Sequence, residues 1–257
     1  LLRVENLKKV YTTGIFKKRW FSAVDNVSFS IAPGETLGLV GESGCGKSTL
    51  GRVILRLIPP SDGRIFFKGR NVTAAGQREL IKMRAKMQIV FQHPESALNP
   101  RMRIYDSLIE PMRIQHLVNN RSEENKKANE LIELVGLNKE HLNRYPHELS
   151  GGQIQRVVLA RILSLQPEFI VADEPTSMLD VSVQAQVLNL FKDIQQQYHI
   201  TYLFISHDLD VVRWMSDRIA VMYEGMIVEI GPAADVCENP QHPYTSLLVD
   251  SFSALGN

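Results

Sequence analysis

Cysteine is scarce: Cys45 and Cys237 are the only two in 257 residues. That excludes a disulfide framework or a CxxC metal pair and suits a reducing compartment. Charge bias is also missing. The 29 basic and 28 acidic residues leave a formal charge of +1, with no block of like charges, so nucleic acid is not an expected partner. Long apolar runs are absent too, since segments such as FIVA and RIAVM fall far short of the ~20 residues that span a bilayer. The stretch LLRVENLKKVYTTG lacks the basic-then-apolar order of a signal peptide. If the protein works at a membrane, another polypeptide provides the span. No tandem repeat or low-complexity linker is visible.

What is present is ample for a core, with hydrophobic residues at 44%. Short β-rich segments occur at LRVENL, VSFSI, ETLGLV, GRIFF, MQIVF, EFIVAD, TYLFISH, RIAVMY and MIVEIG. The early ones alternate or pair like hairpins, whereas LGLV, QIVF, FIVA and LFIS are the continuous apolar runs of a sheet covered on both faces. An α/β fold follows, with an antiparallel β region near the N-terminus and a parallel core. Between Phe91 and Gln166 the strand pattern vanishes and the sequence turns helical, which predicts an inserted helical lobe over 93–165. Within it, Leu131, Leu134 and Val135 recur at helical spacing after Ser122, a cap candidate. The tail ENPQHPYTSLLVDS reads as a proline-punctuated turn and a short helix, an extension over 238–257.

The stretch GESGCGKST, Gly41 to Thr49, matches G-x-x-x-x-G-K-[ST] after one apolar strand and before a helical segment. In such a loop Gly41, Gly44 and Gly46 let backbone N–H groups curl around phosphate oxygens, with Glu42, Ser43, Cys45 and Thr49 filling the cradle. Lys47 adds a cation, Ser48 offers a hydroxyl to Mg²⁺, and the following helix turns its positive end toward the anion. Cys45 reads either as a reactive thiol near phosphate or as a small tolerated side chain.

Binding a nucleotide is not hydrolysing it. In FIVADEP an apolar strand carries Asp173 to its C-terminal end as a Mg²⁺ ligand, directly or through water, and Glu174 follows as a candidate base for an attacking water. Gln92 after QIVF and His207 after LFIS end apolar strands in the same way. Strand ends of a parallel sheet converge on the ligand crevice. Gln92 is expected to orient water and sense Mg²⁺, and His207 to contact a γ-phosphate and fix the geometry around Glu174.

A second glycine-rich anion site lies in ELSGGQIQR, Glu148 to Arg156, where a helix should begin. With it, the ordered set GESGCGKST, FQ, LSGGQ, FIVADEP, SMLD and ISHD resembles the nucleotide-binding subunit of an ATP-binding cassette (ABC) transporter over nearly the whole chain. The resemblance implies a single nucleotide-binding domain over 1–257 with a P-loop NTPase core. It also implies ATP and Mg²⁺ as ligands, and a head-to-tail pair of cassettes. Ser150, Gly151, Gly152 and Gln153 would then cover the ATP held by the other cassette, and Asp180 in SMLD would communicate across the same interface. The family more often has Ala where Met178 stands. Tyr11 fits the family's aromatic platform for adenine, ordinary packing being the other reading. Nearby, GIFKKRWFSAV, with Phe16, Trp20 and Phe21, reads as a solvated hairpin connection.

Within the family, FQHPESALNPRMRIYDSLIEPMR and ENPQHPYTSLL resemble the peptide and nickel importer ATPases. That branch implies a second, related ATPase subunit, two membrane-spanning permease subunits, an external substrate-binding protein acting indirectly, and a place on the cytoplasmic face of the membrane. Peptides are the expected cargo and nickel or another chelated metal the alternative. Cys237 stands alone, so no iron–sulfur cluster is expected. A soluble ABC ATPase of DNA repair would split the cassette with a long coiled coil, and no sustained heptads lie between Ser48 and Ser150. A tandem-cassette ribosome factor needs two cassettes, and a regulatory module that no longer hydrolyses ATP has no use for Glu174 and His207.

Overall fold

The computed structural model describes residues 1–13 and 19–255. In chain order the first elements are β1 (Leu2–Thr13), β2 (Arg19–Ile31), β3 (Thr36–Val40), α1 (Lys47–Ile54), β4 (Asp62–Phe67), β5 (Arg70–Asn71) and α2 (Gln77–Lys86). Then come β6 (Met87–Val90), α3 (Ile104–Ile114), α4 (Arg121–Leu134), α5 (Gly151–Leu163), β7 (Phe169–Asp173) and α6 (Val181–Tyr198). The chain closes with β8 (Thr201–Ile205), α7 (Leu209–Met215), β9 (Arg218–Tyr223), β10 (Met226–Pro232), α8 (Ala233–Glu238) and α9 (Pro243–Leu255). The chain forms two compact units, one of Leu1–Lys82 with His199–Asn257 and the other of Met83–Tyr198.

The first unit contains an antiparallel sheet in the order β2-β1-β4-β5. Leu2 and Val4 of β1 face the core with Val27, Phe29 and Ile31 of β2, and a register shift after Val4 turns Leu7 inward as well. The same unit carries β3 between β8 and β9, parallel to both, with β10 antiparallel to β9. Every residue of β3 and β8 is buried, as their unbroken apolar runs predict. Helix α1 turns Leu50, Val53 and Ile54 inward, and α7 packs on β3.

In the second unit β6 runs parallel to β7, and β7 is buried along its whole length. No strand lies between β6 and β7 among the described residues, and the helices α3, α4 and α5 fill that interval. They pack on one another through Ile104, Leu108, Ile132, Val157 and Leu159. The expected Ser122 cap lies two residues too late: α4 begins at Arg121, and the Asn120 side chain accepts from the Glu123 N–H at 3.0 Å. An Asx residue with extended backbone immediately before the helix takes the cap because its oxygen is short enough to reach that amide.

Candidate nucleotide and catalytic site

Strand β3 delivers the chain directly into the loop Gly41–Gly46. Gly41, Gly44 and Gly46 all have positive φ (149°, 85° and 110°), which side chains resist. A Cβ on Gly46 would lie 2.0 Å from the Ala23 carbonyl, and one on Gly41 2.1 Å from that of Met222. Gly41 and Gly46 therefore press on the backbones of β9 and β2 with no room for a side chain, while the position of Gly44 is open. Lys47, first residue of α1 and 5% exposed, donates from Nζ to the Gly41 carbonyl at 2.6 Å and the Glu42 carbonyl at 2.8 Å. The Cys45 Sγ lies 3.8 Å from the same ammonium. Gly46 supplies no side-chain cap to α1, so the positive helix end faces the loop without one. Ser43 and Gly44 are exposed, Ser48 and Thr49 half-buried, and a cavity of about 390 Å³ lined by Phe21, Glu42–Cys45 and Tyr223 opens beside them.

Tyr11 pairs with Phe21 across β1 and β2. Its ring is 38% exposed, with the Lys9 ammonium 5.0 Å from its centroid. The ring is therefore not taken up by the core. Trp20 and Phe21 are exposed, and Phe16 lies outside the described residues. His207, also in the first unit, is exposed just past β8. Next to it Asp208 caps α7 by accepting from the Val211 N–H at 3.1 Å, while the buried Ser206 Oγ accepts from the Asp208 N–H at 3.0 Å.

In the second unit β7 ends in a buried Asp173, followed by a half-buried Glu174 at φ 49°. A glutamate in the left-handed region is strained, and the surroundings must hold it there. The Glu174 carbonyl accepts from the Ser177 hydroxyl at 3.1 Å and more weakly from its N–H. The Gln92 Nε2 donates to Glu174 Oε2 at 2.9 Å, joining two candidates 82 residues apart. A carboxylate held this way has one oxygen oriented by the amide, the fixed geometry a general base needs.

The segment Leu149–Gln153 is built differently. Ser150 caps α5 in a capping box, its Oγ accepting from the Gln153 N–H at 3.4 Å while Gln153 Oε1 accepts from the Ser150 N–H at 3.0 Å. Neither Gly151 nor Gly152 has a positive φ. Gly152 is instead required by packing, because a Cβ there would come within 2.4 Å of Val183 Cγ1 on α6. Gly151 is exposed, and a Cβ there would meet Leu179 at 3.4 Å, an ordinary contact. Asp180 is exposed just ahead of α6, flanked by Met178 and Val181, whose apolar side chains are 61% and 82% exposed.

Two supports have no local signal in the sequence. Arg161 of α5 ties the segment after Gln92 into the helical region, donating to the carbonyls of Ala97 and Ser107 and to the Glu110 carboxylate at 2.9–3.1 Å. The Tyr244 hydroxyl contacts the phosphate loop itself, accepting from the Glu42 N–H at 3.0 Å.

The sequence profile described as "ABC transporter" matches residues 24–177, and "Oligopeptide/dipeptide transporter, C-terminal region" matches 228–257. The oligopeptide transport ATP-binding protein OppF of Bacillus subtilis is 52% identical over 253 residues, 98% of this chain and 82% of that protein. The dipeptide transport ATP-binding protein DppF of Lactococcus lactis is 48% identical, over 98% of this chain and 81% of its own length. Among solved structures, the ATP-binding cassette MJ0796 in a dimeric post-hydrolysis state with ADP and Pi superposes at TM-score 0.82 and 29% identity, covering 91% of this chain and 99% of that one.

Proposed function

The chain belongs to the ABC transporter family, and on that premise we propose that it is the ATP-hydrolysing subunit of a peptide importer. One observation carries the proposal: a chain with a complete phosphate loop and a Gln92-oriented Glu174 also matches the oligopeptide/dipeptide transporter C-terminal region over 228–257. Residues 1–257 act as one cassette, with 93–165 as its helical lobe and 238–257 as its extension.

The residues divide the work by their chemistry. Tyr11 offers its exposed ring to adenine. The amides of Ser43–Gly46 and the Lys47 ammonium bind phosphate oxygens, in a cradle where Gly41 and Gly46 admit no side chain. Thr49 lines the cradle, and Ser48, Gln92 and Asp173 fit Mg²⁺ by donor type, hard oxygens suited to that cation. When bound, Mg²⁺ neutralises charge on the phosphates. Glu174 takes the proton of the attacking water, Gln92 holds its carboxylate, and His207 fixes the γ-phosphate side. Ser150, Gly151, Gly152, Gln153 and Asp180 serve the ATP of a second, related cassette; the exposed Gly151 amide is the donor best suited to it, and Gly152 supplies shape. Closure of the pair over ATP, and its release after hydrolysis, drives two permease subunits at the cytoplasmic face of the membrane. An external binding protein supplies the peptide.

The test is uptake in a strain deleted for the gene and complemented with the intact chain or Glu174→Gln, offered labelled short peptides and labelled nickel separately. Peptide uptake should return only with the intact chain. The purified variant should keep Mg-ATP binding while hydrolysis drops about 10²–10⁴-fold, the worth of a general base. Rescue confined to nickel would change the cargo, and normal turnover by Glu174→Gln would remove that residue from the mechanism.

A further inference from the structure

The branch motif ENPQHPYTSLL plays no part in hydrolysis as described, yet its tyrosine reaches back 202 residues to the phosphate loop. The Glu42 N–H donates to the Tyr244 hydroxyl at 3.0 Å. The carbonyl of the same peptide unit, that of Gly41, accepts from Lys47 Nζ at 2.6 Å. The Gly41–Glu42 peptide is planar, so turning it moves both groups together. Rotation that takes the carbonyl off Lys47 also breaks the bond to Tyr244. Gly41, without a Cβ, would otherwise be the easiest point in the loop to turn.

Tyr244 is itself firmly placed. It is 9% exposed, and its ring lies 4.3 Å from that of Tyr223 at the end of β9. Ahead of it, Glu229 of β10 accepts from the N–H groups of Gln241 and His242, each at 2.9 Å, and His242 Nδ1 accepts from the Tyr244 N–H at 3.2 Å. Burial favours the protonated Glu229, but hydrogen bonding to the carboxylate, including these two amides, outweighs it and holds the carboxyl below its usual range. Burial pushes the Tyr244 phenol up, so the hydroxyl stays neutral at physiological pH. A second bond braces the same loop, from the Gly225 N–H in the β9–β10 turn to the Cys45 carbonyl at 3.0 Å.

We propose that Tyr244 is a positioning residue for nucleotide binding: its hydroxyl sets the Gly41–Glu42 peptide, and with it the carbonyl that holds Lys47, so that the C-terminal extension tunes phosphate affinity. The proposal rests on residues 41–49 being the nucleotide cradle. Tyr244→Phe removes only the oxygen, and Tyr244→Leu also removes the ring against Tyr223. With the full chain, Mg-ADP binding, the KM and kcat of ATP hydrolysis, and thermal unfolding are measured for both variants and for Lys47→Ala. Tyr244→Phe should raise Kd and KM about two- to tenfold, the worth of one neutral hydrogen bond, with kcat and the unfolding midpoint near those of the parent. Loop ordering is then a cost of binding and not of the chemical step. Parental Kd and KM in Tyr244→Phe, with Tyr244→Leu merely destabilised, would reduce the residue to packing and overturn the proposal. So would a fall in kcat and midpoint at unchanged KM. If Lys47→Ala binds Mg-ADP as the parent does, the cradle itself is wrong; if only Lys47→Ala loses binding, the cradle stands and the role of Tyr244 falls.

Discussion

The phosphate loop Gly41–Ser48 and the segment Leu149–Gln153 both place glycines at the start of a helix, yet they solve opposite problems. In the first, three glycines have positive φ, two of them pressed against β2 and β9, the helix has no side-chain cap, and a buried lysine supplies charge. In the second, backbone angles are ordinary and Ser150 and Gln153 satisfy each other's amides in a capping box. The first loop leaves its helix end uncapped beside the Lys47 ammonium. The second is a self-sufficient helix start that presents one exposed glycine amide and packs its other glycine on Val183. Glycine content alone therefore says little about how a helix end meets phosphate; what matters is whether the helix caps itself.

Adding one methyl at a time gives the largest contrast. Gly46→Ala requires a strained φ and a 2.0 Å approach to the Ala23 carbonyl, so the loop must rearrange, and Mg-ADP binding by calorimetry should be lost. Gly152→Ala meets the Val183 side chain at 2.4 Å and should cost about 1–3 kcal/mol of stability by overpacking. Gly151→Ala meets nothing closer than 3.4 Å and should leave the unfolding midpoint nearly unchanged. Equal losses at Gly151 and Gly46 would erase the distinction between the two loops.

A smaller effect is expected from Ser150→Ala, which removes the cap of α5. Chemical denaturation should show a loss of about 1 kcal/mol, with Mg-ADP affinity in the isolated chain unchanged. A drop in that affinity would mean that the second segment serves its own chain's nucleotide.

Acid should also loosen the helices packed on α5, which starts at the second segment. The Arg113 guanidinium, bonded to both Glu124 oxygens at 2.6 and 2.7 Å, holds that carboxyl down at about 2 against its usual 4.5, despite partial burial, with Tyr105 adding a hydrogen bond. A depressed carboxyl contributes stability that is fully present above pH 4.5 and fades as pH falls toward 2. The pair joins α3 to α4, and both helices pack on α5. Denaturation at pH 6 and pH 3 should show a loss that Glu124→Gln largely removes from the difference.

Much of the fold was legible in the chain because its signals are local. The runs LGLV, FIVA and LFIS became buried parallel strands, since a sheet covered on both faces admits apolar residues throughout. Strand β5 escaped notice because a two-residue strand, Arg70–Asn71, has no periodicity to read. The cap of α4 was placed at Ser122 and not at Asn120 because several polar residues compete there, and only backbone angles decide which lies outside the helix. At the site, the loop glycines, Lys47, Asp173 and Glu174 stood out by spacing, whereas Arg161 and Tyr244 did not.

By itself, then, the sequence determined what operates within a few residues: a glycine-rich loop with Lys47 behind an apolar strand, and the carboxylates Asp173 and Glu174 at the end of another. Only the tertiary structure decided that Gln92 orients Glu174 across 82 positions and that Tyr244 grips the phosphate loop across 202. The reason is physical. Caps and glycine turns are governed by dihedral angles and hydrogen bonds between near neighbours, whereas these two contacts depend on strand pairing and helix docking, which bring distant residues together only when the whole core is buried.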